Sequence, residues 1–385
     1  MVSRPASEPS SASSSPRSIL FHAEDRSVFL VDIPASLEES QVLPGHSAET
    51  VGPPQRRLVS VDPVATPFSI PEPRDPRTNN QTPASQLADL MIEAAVRSAL
   101  DTLGKNYAAP FCLPRVTTGG SSSISDSGSG LGRKSQQDHV TSHGADADAD
   151  AAAVTAHFIP EESVYLSGSI QETRDSFLST APKFHLIVLD PPWPNKSARR
   201  KTGGYSTVYG LKDTRTLLDQ IPVVGHLADG GLVAIWVTNK ATLVDLLTSP
   251  RGVLARWGLE AAAEWTWVKL TSQGEPVFDT ESAWRKPWER LIIARKRGDN
   301  RKVPQRVIAA VPDVHSRKPN LRHLFEDLLP QGYLGLEVFA RNLTAGWWGW
   351  GNEVLRFQEP QHWVAQSELE RAELEGSEPD DTNTI

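Results

Sequence analysis

One cysteine, Cys112, stands among 385 residues. A lone thiol closes no disulfide within the chain and builds no cysteine zinc site. With no signal peptide in view, this points to a reducing compartment, nucleus or cytosol. No apolar run is long enough to span a bilayer, so no membrane contact is expected. Neither a GxGxxG nor a Walker string occurs, so a glycine-rich phosphate cradle is not expected and a cofactor without phosphates fits better. His185, His226, His315 and His323 lack metal-ligand spacing, and no metal is expected. No repeat period is visible. Tryptophan is absent before Trp193, and all eleven lie at or beyond it. Material for a large core is therefore confined to the second half.

Residues 7–18 and 117–153 are rich in Ser, Gly, Ala and Asp, too poor in apolar surface to order themselves. The expected division is a disordered 1–17, an N-terminal extension over 18–115, a disordered linker over 116–157, a main domain over 158–360 and an acidic disordered tail over 361–385. The net charge of −8 hides a contrast. Ser367–Asp381 carries seven acids against Arg371, whereas Arg285–Arg306 holds nine Lys and Arg against Glu289 and Asp299. Lys196, Arg199, Arg200, Lys201, Lys212 and Arg215 form a second basic group. Either group alone reads equally well as solvated loop charge. The two together suggest phosphate contact and hence nucleic acid.

Apolar runs at 184–189, 231–237, 265–270, 289–295 and 334–340 read as strands, with helices near 213–220, 240–249 and 319–329 between them. Continuous apolar strands alternating with helices predict an α/β fold, a mostly parallel sheet covered on both faces. Upstream, Ser27–Ile33 reads as a strand and 83–103 as a helix on the spacing of Leu87, Leu90, Met91 and Ala94. Ligands of such sheets bind beyond the carboxyl ends of strands, where Asp190 and Arg341 fall.

Asp190 opens the string DPPW, followed by PNK. Asp-Pro alone is a common turn opener. The full string does more. The amino group of an aromatic base is a poor nucleophile because its lone pair is delocalised into the ring. The Asp190 carboxylate and the Pro191 carbonyl can take its two N–H groups and free that pair, with Pro191 and Pro192 stiffening the backbone. Trp193 offers a stacking face, and Asn195 and Lys196 could hold the base edge or its phosphate. Glu337 suits ribose hydroxyls and Arg341 a carboxylate, although a structural ion pair between them is an alternative. Lys318 reads equally well as solvated surface, and WWGW (347–350) as packing. Of Trp265 and Trp267, on one strand face, one is expected in the core.

The blocks LDPPWPNKS, WVTN, EWTWVK, HSRKP and LEVFARNLTAGWWGWGNEVLRF together resemble the adenine-N6 methyltransferases of the DPPW (MT-A) type, closest to the methyltransferase-like protein 4 branch. The match spans about residues 160–358, and FHAEDRSVFLVDIP (21–34) resembles that branch's N-terminal region. The resemblance implies a Rossmann-like methyltransferase fold with DPPW preceding the cofactor motif, and S-adenosylmethionine as cofactor. It implies a catalytic Asp190, Pro191, Pro192 and Trp193. Lys318, Glu337, Phe339, Arg341, Asn342 and Asn352 would hold the cofactor, and Asp190 would border it. Ser169 and Ile170 would border its adenine, although the family pattern there is Asp-Ile. Tyr205 matches a tyrosine near the acceptor base, Arg285–Trp288 matches a target-facing loop with Arg285 and Lys286 as contacts, and Trp267 joins the substrate side. The expected activity is N6 methylation of adenine in nucleic acid, RNA foremost (2′-O-methyladenosine in U2 small nuclear RNA), with adenine in DNA as alternative. Action as a monomer in the nucleus is expected, with a protein partner or cytosolic location as alternatives. A catalytically silent nucleic-acid-binding subunit is the competing class. A small-molecule or protein methyltransferase would leave the basic flanks without a purpose.

Overall fold

The computed structural model describes residues 16–43, 56–69, 83–108, 110–117, 157–194, 210–282 and 285–376. Residues 7–15 and 118–153 of the two low-complexity stretches lie outside them. The strands are β1 (Ile19–His22), β2 (Val28–Val31), β3 (Arg56–Ser60), β4 (Val116–Thr117), β5 (Val164–Ser167), β6 (Phe184–Leu189), β7 (Leu227–Val237), β8 (Leu259–Lys269), β9 (Trp288–Lys296), β10 (Arg306–Ala310), β11 (Gly335–Val338), β12 (Trp348–Gly351) and β13 (Trp363–Ala365). The helices are α1 (Ile33–Glu39), α2 (Pro83–Asn106), α3 (Ile170–Thr180), α4 (Leu211–Asp219), α5 (Val223–His226), α6 (Ala241–Thr248), α7 (Val253–Arg256) and α8 (Gln366–Gly376).

Ten strands form one sheet in the order β1-β2-β10-β8-β9-β7-β6-β11-β12-β5. It is parallel except where β1 joins the edge and β9 lies between β8 and β7. This is the mostly parallel, doubly covered sheet of the expected methyltransferase fold. Alternation along β7 shows why. Leu232, Ala234 and Trp236 enter one core with Ile33, Leu37, Trp265 and Phe325. Val233, Ile235 and Val237 enter the other with Ile170, Phe177, Leu218 and Leu247. Gly335 lets Trp347 lie on β11, since a Cβ there would stand 2.3 Å from the indole.

The N-terminal strand is not peripheral: β2 pairs in parallel with β10 inside the main sheet. α1 follows it at once, capped by Asp32, whose carboxylate accepts from the Ala35 N–H at 2.9 Å. α2 packs on β2, β8 and β10 through Ile92, Val96, Ala99 and Leu103. This corrects the expected face, because Leu87, Leu90 and Met91 stay exposed. Two apolar stripes compete on this helix, and the sheet selects the one with small and branched residues.

Three further expectations change. The helix near 319–329 is a single 3-10 turn, Arg322–Leu324. Side chains take its backbone groups: Asn320 Oδ1 accepts from the Arg322 N–H, the Tyr333 hydroxyl donates to the Arg322 carbonyl, and Arg306 donates to that of Leu324. The run 334–340 is cut to Gly335–Val338 because Phe339 turns into the left-handed region at φ 62°. The tail expected to be disordered from 361 contains β13, paired antiparallel with β3, and α8.

Candidate active site

Every strand of the sheet but β1 and β9 ends at the same edge, so their following residues converge there. Asp190 follows β6, Thr238 and Asn239 follow β7, Phe339–Asn342 follow β11, Asn352 follows β12 and Ser169 follows β5. β9 runs the other way and brings its first residues, Trp288 and Glu289, to that edge. Period-two alternation then puts Asp190, Trp236, Trp267, Glu289 and Glu337 on one sheet face, that of Leu186, Val188 and Leu291. The chain leaves β6 towards β7 on one side and returns as β11 on the other, the switch point where α/β sheets hold ligands.

Lys318 is the hub of this edge. Its ammonium donates to Glu289 Oε2 and stands 4.0 Å from Asp190 Oδ2. It also lies 5.2 Å over the Trp236 ring and 5.4 Å over that of Trp267. Lys269 Nζ donates to the other Glu289 oxygen at 2.6 Å and sits 4.8 Å over Trp267. The two indoles meet edge to face at 5.9 Å. Burial opposes the ionisation of Glu289, but the two ammonium groups outweigh it and hold the carboxyl at about 2. Burial likewise works against the charge of Lys318, and Asp190 and Glu289 reverse it, so its pKa rises. Asp190 is pushed up, by burial first, with Lys318 opposing and Glu289 adding to the rise. Burial and the nearby Asp190 carboxylate push Glu337 up to about 7. Thr238 Oγ1, Asn239 Oδ1 and Trp267 Nε1 are buried without a partner among the described residues. Such groups are what a polar ligand would satisfy.

The remaining cofactor-side candidates divide. Phe339 N donates to the Trp350 carbonyl at 2.6 Å, which fixes the turn into Ala340 and Arg341. Arg341 Nε donates to Glu353 Oε2 at 2.9 Å, so the ion pair considered with Glu337 is made with Glu353 instead. Asn342 is half-buried and Asn352 exposed, both at the carboxyl edge. The Ser169 side chain is committed to the N-cap of α3. It accepts from the Glu172 N–H at 3.2 Å and donates to the Glu172 carboxylate at 2.6 Å. Ile170 is buried against Phe177 in the core. Both stand at the right edge, but their side chains serve the helix and the core.

On the substrate side, Trp193 Nε1 donates to the Trp236 carbonyl at 2.8 Å and Lys240 Nζ to the Pro194 carbonyl at 3.1 Å. The DPPW segment is thereby tied to β7, and Pro191 is buried. The Trp193 indole is a tether more than a free stacking face. Asn195, Lys196 and Tyr205 lie outside the described residues. Trp265 and Trp267 are both buried, where one was expected in the core. WWGW packs: Trp347 against Tyr333, and Trp350 stacked on Phe177 at 4.2 Å.

The basic window is largely neutralised. Lys286 donates to Glu93 of α2 at 3.1 Å and to the Thr280 carbonyl at 2.8 Å. Arg290 forks onto Glu264, Arg295 meets Glu260, Lys296 meets Asp229, and Arg306 meets Asp327. Charge density in the sequence here reflects strand-to-strand pairing, not a free phosphate grip, and Lys286 in particular is spoken for. Arg285 lies over the Phe278 ring at 5.4 Å. The residues that sequence reasoning missed are Glu289, Lys269 and Trp236. Their signal was a charge or indole at the end of an otherwise apolar strand. It becomes informative only once β8 and β9 are known to pair with Trp267 opposite Glu289.

The MT-A70 family profile matches residues 184–353, the span from β6 to the turn after β12. The chain is 48% identical over 352 residues to the N6-methyladenosine RNA methyltransferase MTA1 of Cryphonectria parasitica, covering 90% of this chain and 94% of that protein. It is 45% identical over 370 residues to the protein of the same name from Pyricularia oryzae, at 90% and 96% coverage. The N(6)-adenine-specific methyltransferase METTL4 of Mus musculus is 35% identical over 222 residues, 54% of this chain and 45% of that protein. The DPPW segment, the lysine hub and the LEVFARN turn all fall inside the matched span, and the chain belongs to the MT-A70 family.

Proposed function

We propose that this chain is an S-adenosylmethionine-dependent methyltransferase that modifies N6 of adenine in nucleic acid, with RNA as its substrate. The observation that carries the reading is the Asp190 carboxylate at the end of β6, 4.0 Å from the Lys318 ammonium. It stands on an edge where Glu337 is held at about 7 and polar atoms of Thr238, Asn239 and Trp267 lack partners among the described residues. These groups fit a zwitterionic, hydroxyl-bearing cofactor. Asp190, Lys318, Glu337, Phe339, Arg341, Asn342 and Asn352 are the residues to hold it, with the Ser169–Ile170 backbone beside them. When bound, S-adenosylmethionine supplies an electrophilic sulfonium methyl.

The chain's own part is orientation. Lys318 opposes the rise that burial and Glu289 impose on Asp190, and in its ionised form that carboxylate is a pure acceptor. That carboxylate takes one N–H of the adenine amine and the Pro191 carbonyl the other, turning the nitrogen lone pair out of the ring plane. The nitrogen grows acidic as it is alkylated, so no strong base is needed. A stacked adenine must be splayed out to reach Asp190. The MTA1 names, on relatives matching nearly the whole chain, support RNA over DNA. Resemblance to the methyltransferase-like protein 4 branch supports 2′-O-methyladenosine of U2 small nuclear RNA as the target to test first. Action as a monomer and a nuclear location belong to the same proposal.

Labelled methyl transfer from the cofactor to adenosine RNA with and without a 2′-O-methyl group, to adenosine DNA and to bulk protein tests this. Label is expected in RNA, and Asp190→Asn should lower it by roughly a hundredfold or more. Label confined to DNA overturns the RNA assignment, and label surviving the substitution overturns the role of Asp190. RNA binding without transfer to any acceptor restores the silent-subunit reading.

A further inference from the structure

The loop that carries Lys318 is held from behind by residues upstream of the MT-A70 span. Asp313 is the centre of that hold, and its side chain and that of Arg317 are fully buried. Arg317 Nη1 donates to Asp313 Oδ2 at 2.5 Å and to the Val59 carbonyl at 2.9 Å. Its guanidinium lies 4.6 Å over the Phe357 ring. Arg115 stands 3.8 Å from Asp313 Oδ1 and forks onto the Val61 and Val311 carbonyls, each at 3.0 Å. The Val61 N–H donates to Asp313 Oδ1 at 3.1 Å, and the Ser60 hydroxyl to Oδ2 at 3.4 Å. At the far end of the loop, the Asn320 N–H donates to Ser36 Oγ of α1 at 3.1 Å.

Arg317 and Lys318 are neighbours whose side chains part. Arg317 is drawn into the buried cluster, and Lys318 is sent to Glu289, Trp236 and Trp267. Ser316, just before them, takes the left-handed conformation at φ 71°. Pro319 restricts the residue before it. Fixing the Arg317 guanidinium therefore fixes the direction in which Lys318 leaves the backbone. A buried carboxylate between two guanidinium groups is costly to assemble and strongly directional once made.

We infer that Arg115, acting through Asp313 and Arg317, is a positioning residue for Lys318, so that the N-terminal extension completes the active edge of the domain it precedes. The importance of Lys318 to turnover rests on the function proposed above; the clamp itself does not. The primary readout is accordingly chemical. Lysine acylation is followed by mass spectrometry on the full chain, and the Lys318 rate is divided by that of Lys286, which is held by Glu93 elsewhere.

Arg115→Ala should raise that ratio about tenfold, the scale of one lost charge-assisted contact. Arg115→Lys keeps the charge beside Asp313 but loses the two-nitrogen fork onto the Val61 and Val311 carbonyls, and should give an intermediate rise. General loosening would raise both rates and leave the ratio flat. A flat ratio in Arg115→Lys, or in a folded Arg115→Ala, overturns the inference. In methyl transfer, Arg115→Lys should lower kcat more than it raises KM, and the effect should vanish in a Lys318→Met background. A full Arg115→Lys effect persisting in that background also overturns it. A wild-type chain that methylates no adenine but shows the ratio change keeps the clamp and defeats the function.

Discussion

Replacing Glu289 by Gln tests the electrostatics of the site directly, because the change is nearly isosteric and removes only the charge between Lys269 and Lys318. A carboxyl held at about 2, against an ordinary 4.5, corresponds to about 3 kcal/mol of stability at neutral pH, at about 1.4 kcal/mol per tenfold. The side chain keeps 23% exposure, and water reaching it lowers the expectation to about 2–3 kcal/mol. The folded pKa lies below the unfolded one. The contribution is therefore complete at neutral pH and is lost as pH falls from the ordinary 4.5 through about 2. Thermal melts of both proteins across that range report this group together with the part of the Asp190 rise that Glu289 supplies, while carboxylates remote from the pair titrate alike in both. Wild type should melt higher by roughly 5–10 °C at pH 7, taking about 2–4 °C per kcal/mol for a domain of this size. The gap should close as Glu289 itself protonates. Methyl transfer should fall as well, because Lys318 loses the partner that holds it between the two indoles. A melting gap that stays constant from pH 7 to the acid limit would refute the account: the cost would then come from packing, not charge.

Other predictions follow from single observations. Glu337→Gln should stabilise the protein by about 2–3 kcal/mol at pH 8 and hardly at all at pH 4, because a carboxyl held at about 7 loses folding stability as pH rises from 4.5 to 7. Isothermal titration with the cofactor should show weakened binding in the same variant. Gly335→Ala puts a Cβ 2.3 Å from the Trp347 indole on a buried strand and should cost about 1–3 kcal/mol by urea unfolding. Lys286→Ala should leave the salt dependence of RNA binding unchanged while costing about 1 kcal/mol or less of stability, since its ammonium is engaged by Glu93 and the Thr280 carbonyl. A flattened salt slope would return that lysine to the phosphate contacts.

Where much of the candidate site would lie was legible in the sequence, because its residues stand in short strings at strand ends. Asp190 follows six apolar residues that form β6 as expected, and a carboxylate at the end of a buried strand needs a partner. β6, β7, β8, β9 and β11 were legible because a sheet covered on both faces demands unbroken apolar runs, whereas the short β5, β10 and β12 were not read as strands. Local rules failed where a tertiary contact outbid them. The helix expected near 319–329 yields to side chains that capture its carbonyls. α2 buries Ile92 and Val96 instead of Leu87 and Leu90, a choice that depends on which stripe the sheet accommodates.

By itself the sequence determined five strands of the main domain and the helices near 213–220 and 240–249, the acid–proline–proline–tryptophan string and its order before the LEVFARN turn, because these depend on neighbours along the chain. Only the tertiary structure decided that Glu289 and Lys269 belong to the site, that the basic window is mostly paired, and that Arg115 stands behind Lys318. Each joins residues far apart in the chain, and the register of antiparallel β9 or the docking of a distant loop is set by packing that no local pattern records.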